Sequence, residues 1–180
     1  MELYVIRHGR VPSNDLGIIS DRNDEELTDI GIKQANSVRN KLKDVCFDAI
    51  YSSNVKRAIQ TAEIVNCQGL DIILDERLAE REPGGLVGKK RKDIDKALWN
   101  SLVIDRTPEG AETLKLGLHR TKSFLEEIHN KYYKDEKILI VTHNFICKCI
   151  WILENNIVDE EKISSFIQEN DEIRKYVKKK

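Results

Sequence analysis

The amino-acid sequence predicts an α/β fold, a three-layer α/β/α sandwich around a mostly parallel central sheet. Short apolar, β-rich runs alternate along the chain with longer segments whose apolar residues repeat at helical spacing. The clearest runs are apolar without interruption, which is typical of parallel strands because both of their faces are buried. The sequence contains no internal repeat, low-complexity segment or linker. We therefore expect a single domain over residues 1–180.

The predicted strands are the apolar runs at residues 3–6, 47–51, 70–74 and 137–142. The predicted helices lie near residues 29–43, 55–65, 94–98, 111–133 and 147–153. Thr28 is suited to cap the first helix, and Ser52 and Ser53 the second, because their hydroxyl groups accept free N–H groups at a helix start. Residues 10–26, 78–88 and 107–110 are polar or rich in glycine and proline, which indicates loops.

Two structures are open for residues 157–180. Apolar residues at 163–167 and 172–177 flank Asn170 and Asp171, a pair suited to a tight turn. We expect a hairpin that turns at this pair, and a single frayed helix is the alternative.

The composition excludes several classes of protein. The 180 residues are 40% hydrophobic and 34% charged, with a formal net charge of -1, which gives no electrostatic reason to bind nucleic acid or an anionic membrane. No apolar stretch approaches the roughly 20 residues that span a bilayer, and no leader-like segment precedes the first strand. Cys46, Cys67, Cys147 and Cys149 lack a disulfide-framework spacing. We expect a reduced, cytoplasmic protein without nucleic-acid or membrane partners, whose oligomeric state is open.

Two of the predicted strands end in the same way, with an apolar run followed by a histidine. His8 follows the first strand and His143 the fourth, and the carboxyl ends of parallel strands meet at one edge of a sheet, where ligands bind. Arg7 precedes His8, and Arg57 lies in the first turns of the helix after the second strand. A lone histidine at a strand end is more often structural, but two imidazoles and two guanidiniums at one edge predict an anion pocket suited to phosphate.

At these residues the sequence resembles the histidine phosphatase superfamily, in its phosphoglycerate-mutase-like branch. The matching segments occur in family order from residue 3 to about 150. They are Arg7-His8-Gly9 with Asn14, Leu27-Thr28 with Gly31 and Gln34-Ala35, Tyr51-Ser52-Ser53 with Arg57-Ala58 and Gln60-Thr61-Ala62, Leu78-Ala79-Glu80 with Gly84 and Gly88, Pro108 with Gly110 and Glu112-Thr113, and Val141-Thr142-His143.

The resemblance implies a catalytic role for five of these residues. His8 would be the nucleophile that forms a phosphohistidine, and Arg7, Arg57 and His143 would hold the phosphoryl oxygens. Attack requires a neutral imidazole, which the flanking cations favour. Glu80 would protonate the leaving oxygen, and we expect its loop to be dry enough to keep it protonated near working pH. Glu82 is a competing candidate for the acid.

The resemblance implies that Asn14 assists in holding the phosphoryl group, and we also expect substrate contacts from Gly9, Arg10 and Asn144. Arg10 replaces the Glu or Gln usual in this branch, so it either lies at the pocket rim or points to solvent. No metal and no other cofactor is expected, because the arginines and histidines supply the positive charge.

The expected activity is metal-independent hydrolysis of a small phosphorylated metabolite. The alternatives are a phosphoglycerate-type mutase and a non-catalytic phosphate-binding regulatory protein. Only 27 residues separate Glu80 from Pro108. We expect so short a segment to seal the site poorly from water, which favours hydrolysis over mutase action.

Overall fold

The computed structural model describes residues 1–22, 25–95, 99–102 and 110–177, and within them it contains a five-stranded sheet. The strands are β1 (Glu2–Arg7), β2 (Ala49–Ser52), β3 (Ile72–Leu74), β4 (Lys137–Thr142) and β5 (Ile173–Val177). Their order in the sheet is β3-β2-β4-β1-β5. The first four strands are parallel and β5 is antiparallel to β1, which confirms the predicted mostly parallel sheet.

Helices cover both faces of the sheet. The helices of the described residues are α1 (Pro12–Leu16), α2 (Asp29–Leu42), α3 (Lys56–Val65), α4 (Leu114–Lys131), α5 (Asn144–Asn155) and α6 (Glu160–Ser165), and short 3-10 turns occur at Glu76–Leu78, Gly84–Leu86 and Arg91–Asp93. Successive side chains of a strand point to opposite faces. On β1, Val5 accordingly packs in a core with residues of α4 and α5, and Ile6 in a second core with residues of α2 and α3. This is the predicted three-layer α/β/α sandwich.

The predicted caps are confirmed in part. Thr28 Oγ1 accepts the backbone N–H of Gly31 at 3.2 Å at the start of α2. At α3 the helix begins only at Lys56, and the residue that precedes it, Val55, makes no side-chain cap hydrogen bond. Ser52 and Ser53 therefore do not cap α3, although Ser53 Oγ accepts the backbone N–H of Val55.

The predicted C-terminal hairpin is wrong, and so is the alternative of a single helix. Residues 160–165 form α6, which Asp159 caps, so the apolar residues at 163–166 belong largely to a helical turn. Residues Ile173–Val177 do form a strand, but it pairs with β1, which lies at the opposite end of the sequence. The polar segment at residues 10–26 also differs from prediction, because it contains the short helix α1.

Parts of two predicted elements lie outside the described residues. They are most of the helix near 94–98 and the loop at 107–110, which includes Pro108. Across the part of the chain that is described, no helix combines the length and apolar character needed to cross a membrane.

Candidate active site

The ends of β1 and β4 bring two histidines together. Arg7 and Thr142 are the last paired residues of these neighbouring strands. The residue that follows each strand is a histidine. The backbone N–H of His8 donates to the Thr142 carbonyl at 2.8 Å, which extends the pairing by one residue. The ring centroids of His8 and His143 lie 5.0 Å apart, as the strand-end argument predicts.

The His8 ring presents a free lone pair on Nε2. Its Nδ1 lies 2.7 Å from the Gly9 carbonyl oxygen. A carbonyl only accepts, so we assign the ring proton of the neutral imidazole to Nδ1. Nε2 is then unprotonated, which is the form that can attack phosphorus.

The His143 ring has the complementary arrangement. Its Nε2 lies 2.8 Å from Ser53 Oγ, whose oxygen already accepts the Val55 N–H at 3.2 Å. We therefore assign the Ser53 hydroxyl as the donor to Nε2, which places the ring proton on Nδ1. His143 Nδ1 is buried and has no hydrogen-bond partner among the described residues. A buried donor without a partner is unfavourable, and an anion bound beside the ring would satisfy it.

Two guanidiniums flank the histidines. Arg57, in the first turn of α3, is only 1% exposed, and Arg7 ends β1 with its Nη1 donating to the Gln168 carbonyl at 3.1 Å. Burial lowers the pKa of His8 and of His143 well below the ordinary value, and the charges of Arg7 and Arg57 lower both further. Both imidazoles are therefore neutral near pH 7, as expected for His8 from the flanking cations.

Glu80 joins this group from the loop that follows the first 3-10 turn. One carboxylate oxygen of Glu80 and one ring nitrogen from each histidine all lie within 4.8 Å of one another. Burial raises the pKa of Glu80, but the charge of Arg57 and the Arg81 N–H, which donates to Oε1 at 2.9 Å, outweigh that effect. The pKa of Glu80 consequently lies below its ordinary value. The expectation of a protonated Glu80 is therefore wrong for the unliganded site, because the nearby positive charge exceeds the effect of desolvation.

The competing carboxylate, Glu82, lies apart from this group. Its side chain is 58% exposed and sits 3.6 Å from Arg22 Nε. Only Arg81 lies between the two glutamates in sequence, and of the two only Glu80 joins the histidines.

Three of these groups are of kinds that also bind metal ions. Two imidazoles and a carboxylate, from His8, His143 and Glu80, could together hold a divalent cation. The positive charges of Arg7 and Arg57 lie close to the same site, since both arginines lower the pKa of His8 and of His143. Their two positive charges oppose a cation and favour an anion such as phosphate.

The four predicted substrate contacts have other partners in the structure. The Gly9 N–H donates to Thr61 Oγ1 at 3.0 Å, and a Cβ at Gly9 would lie 2.5 Å from the Gly31 carbonyl oxygen. Glycine is therefore required there by the close approach of two backbones. Asn14 Oδ1 accepts the Val11 N–H at 3.2 Å and so helps to start α1.

Arg10 and Asn144 lie at the margin of the site. The Arg10 side chain is 40% exposed and forms an ion pair with Asp15. The Asn144 side chain, at the start of α5, accepts the Gln168 N–H at 2.9 Å and lines a cavity beside Glu80. Neither side chain joins the group that Glu80 forms with the two histidines.

Sequence reasoning missed residues that hold the site from behind. Asn170 Nδ2 donates to the His8 carbonyl at 2.6 Å, and the Gln168 carbonyl accepts from Arg7. The sequence marks Ser53 as a helix cap and as part of a family segment but gives it no role in the site, whereas its hydroxyl contacts His143. No sequence signal marks Gln168 or Asn170 as part of the site, since their partners are 161 and 162 residues away along the chain.

Comparison with known proteins identifies the family. Residues 3–174 match the histidine phosphatase superfamily (branch 1). The chain is 33% identical over 160 residues to phosphoglycerate mutase-like protein 4 of Arabidopsis thaliana, which covers 83% of this chain and 69% of the relative. It is 30% identical over 161 residues to the metal-independent phosphoserine phosphatase of the same plant, covering 84% and 67%.

A mutase is also among the relatives. The chain is 28% identical over 176 residues to the 2,3-bisphosphoglycerate-dependent phosphoglycerate mutase of Allorhizobium ampelinum, covering 90% of this chain and 83% of the mutase. Among solved structures, a phosphoserine phosphatase from Entamoeba histolytica in complex with 3-phosphoglyceric acid superimposes with a TM-score of 0.84 at 26% identity, covering 98% of this chain and 90% of that one.

Proposed function

The chain belongs to the histidine phosphatase superfamily, and on that premise we propose that it hydrolyses a small phosphorylated metabolite without a metal, through a phosphohistidine on His8. The family and the phosphatases among its relatives support a phosphoric monoester hydrolase. We also propose that residues 1–180 form a single domain.

One observation carries the proposal: the contacts of His8 Nδ1 and His143 Nε2, from which we assign complementary tautomers to the two histidines. His8 offers a lone pair at Nε2 because Nδ1 donates to the Gly9 carbonyl. His143 offers a donor at Nδ1 because Nε2 is engaged by Ser53. A nucleophile and a hydrogen-bond donor side by side, next to two guanidiniums, suit a phosphoryl group that is attacked while its oxygens are held.

In the first step, His8 Nε2 forms a bond to phosphorus and the ester P–O bond breaks. Arg7, Arg57 and His143 Nδ1–H hold the three non-bridging oxygens, on which negative charge is spread. Glu80 donates its proton to the leaving oxygen. Glu80 takes up this proton when the substrate binds, because the negative charge of the bound phosphoryl group raises the pKa of Glu80.

In the second step, water attacks the phosphohistidine. Glu80, now ionised, accepts a proton from the water as its oxygen bonds to phosphorus. The N–P bond breaks, the lone pair returns to His8 Nε2, and inorganic phosphate leaves. The phosphate carries away the proton that Glu80 accepted from the water, so Glu80 is again ionised as it was before the substrate bound, and no step requires a metal.

Phosphoglycerate-type mutase activity is the second candidate, supported by the mutase relative. The same phosphohistidine could return its phosphoryl group to a reoriented product if water were excluded. The non-catalytic alternative is less well supported, because the site retains a nucleophile, an acid and three anion-binding groups.

A screen of phosphate release tests the proposal. The purified protein would be assayed with 4-nitrophenyl phosphate and a panel of small phosphorylated metabolites, with and without EDTA. We expect turnover that EDTA does not reduce. Turnover that EDTA abolishes and Zn²⁺ or Mg²⁺ restores would contradict the metal-independent mechanism, and no turnover of any substrate would favour the non-catalytic alternative.

A further inference from the structure

The chain segment that carries Glu80 has no regular structure of its own. It follows the 3-10 turn Glu76–Leu78, and residues 79–82 belong to no helix or strand, so no ladder of backbone hydrogen bonds fixes them. A general acid must lie within about 2.6–3.2 Å of the oxygen that it protonates. The position of Glu80 therefore depends on contacts from other parts of the chain.

Arg120, on α4, binds two carbonyl groups of this segment. Its Nη1 donates to the Arg77 carbonyl at 2.6 Å, and its Nη2 lies 3.4 Å from the carbonyl oxygen of Glu80 itself. The side chain of Arg120 is only 18% exposed. One guanidinium thus spans the backbone from the 3-10 turn to the residue proposed as the acid.

Glu112 holds that guanidinium in place and also binds the far end of the segment. Its two carboxylate oxygens accept Arg120 Nε at 2.7 Å and Nη2 at 2.9 Å, a bidentate pair with a fixed orientation. The Glu82 N–H donates to Glu112 Oε2 at 3.1 Å, and the Glu112 N–H donates to the Glu82 carbonyl at 2.8 Å. The ion pair therefore contacts the backbone before, at and after Glu80.

The contacts of this pair leave it little capacity to bind substrate. All three nitrogens of the Arg120 guanidinium donate to protein oxygens, and both carboxylate oxygens of Glu112 accept hydrogen bonds. Desolvation offsets much of the attraction within a largely buried ion pair, so the pair is weak evidence of a role in stability alone. What its contacts do fix is the conformation of residues 77–82.

We propose that Arg120 and Glu112 are positioning residues, which hold the carboxyl group of Glu80 within reach of the leaving oxygen. The inference rests on the proposed function, since it requires Glu80 to act as the general acid. It predicts that loss of either side chain impairs protonation of the leaving group more than it impairs the attack by His8.

Two esters with different leaving groups test this inference. Benzyl phosphate and 4-nitrophenyl phosphate both carry a phenyl ring, but the benzyl alcohol is the poorer leaving group and needs the acid more. We compare kcat/KM for the two esters, because this constant covers the steps up to cleavage of the ester bond. Arg120→Met should raise the ratio in favour of 4-nitrophenyl phosphate by about 10-fold or more, and Glu112→Gln, which keeps the shape of the side chain, should raise it less.

The Glu80→Gln background shows whether Arg120 acts through Glu80. A glutamine cannot donate the proton, so adding Arg120→Met to Glu80→Gln should leave the ratio of that single variant unchanged. The charge of Arg120 also lowers the pKa of His143, after burial and the charges of Arg57 and Arg7. That effect concerns the phosphoryl oxygens and is common to both esters, so it cancels in the ratio.

Arg77→Met is the matched control. Arg77 lies in the same segment, but its guanidinium binds the side chains of Asp75 and Glu127 and none of the backbone groups that hold Glu80. This variant should keep the wild-type ratio. The ratio is measured on one preparation, so an inactive fraction does not alter it.

The two proposals fail in different ways. No hydrolysis of 4-nitrophenyl phosphate by wild type would overturn the proposed function itself. With wild type active, an unchanged ratio in Arg120→Met, or a rise that is equally large in the Glu80→Gln background, would overturn the role of Arg120 alone. An unchanged ratio in Glu112→Gln would overturn that of Glu112, and this milder variant decides for the pair if Arg120→Met does not fold.

Discussion

The side chain of Ser53 fixes the ring of His143: Oγ and Nε2 lie 2.8 Å apart, and both residues are fully buried. Ser53 follows β2 and His143 follows β4, and these strands are neighbours in the sheet. The hydrogen bond therefore links the ends of β2 and β4 at the site. It also keeps the Nδ1–H of His143 available for a phosphoryl oxygen.

Removal of the Ser53 hydroxyl should impair catalysis through His143. We expect Ser53→Ala to lower kcat/KM for 4-nitrophenyl phosphate by about 10-fold or more, since even one direct donor to a transition state is worth about 10²–10³. Ser53→Thr keeps the hydroxyl and should recover much of the loss.

Ser52→Ala is the control for this experiment. Ser52 is equally buried at the same strand end, but its hydroxyl donates to the Ser53 carbonyl and not to an imidazole. It should stay close to wild type. Equal losses in Ser52→Ala and Ser53→Ala, or a pH profile unchanged by Ser53→Ala, would mean that Ser53 does not act through His143.

Glu80→Gln should slow hydrolysis of alkyl phosphates far more than that of 4-nitrophenyl phosphate. General acid catalysis contributes about 10²–10⁴-fold, and a good leaving group needs little of it. Glu82→Gln serves as the control, since the Glu82 side chain is exposed. A larger selective loss in Glu82→Gln than in Glu80→Gln would transfer the acid role to Glu82.

Acidification below about pH 6.5 should destabilise the protein through His8. Burial, then His143, Arg57 and Arg7, lower the pKa of His8 in the folded state, while the unfolded chain keeps the ordinary value of about 6.5. Below about pH 6.5 the unfolded state therefore binds a proton that the folded state does not. The free energy of unfolding then falls by up to about 1.4 kcal/mol per pH unit for this group.

The measurement is Tm between pH 7.5 and 5 for wild type and His8→Ala. The variant should lose less Tm on acidification, whatever its Tm at pH 7.5. The lowered pKa of Glu80 does not interfere, since its effect on stability belongs to more acidic conditions. Parallel Tm curves for the two proteins would show that His8 is not held neutral by the fold.

The strands that carry the site could be predicted because their signal is local. β1 and β4 are buried, apolar and end abruptly, so the positions of His8 and His143 followed from the rule for parallel sheets. A strand at the position of β5 was predicted, but as one half of a hairpin, and its true partner could not be predicted in the same way. Its residues, Ile-Arg-Lys-Tyr-Val, are at most partly buried, and its pairing with β1 joins distant parts of the chain.

The electrostatics of the site depended on distances that the sequence does not contain. That Glu80 lies near the histidines was implied by the family resemblance, but the direction of its pKa shift was not. It results from a balance between burial and the charge of Arg57, which only the folded geometry sets. The contacts of Arg120 with the segment that carries Glu80 are likewise visible only in three dimensions.

The protein should act as a phosphatase and not as a productive mutase. Offered 3-phosphoglycerate with a bisphosphoglycerate primer, it should release phosphate faster than it forms 2-phosphoglycerate, because the short chain between Glu80 and Pro108 gives little material to exclude water. Both products would be followed in one reaction. Isomer formation that outruns phosphate release would establish the mutase alternative.

The most direct test of the account is to trap the phosphorylated intermediate. Wild type would be mixed with a labelled phosphate ester, quenched within milliseconds and digested, and the labelled peptide sequenced. We predict one acid-labile, alkali-stable phosphate on His8, and neither label nor hydrolysis in His8→Ala, whose folding is checked by circular dichroism. A label on another residue, or hydrolysis by His8→Ala at a rate comparable with wild type, would contradict the assignment of His8 as the nucleophile.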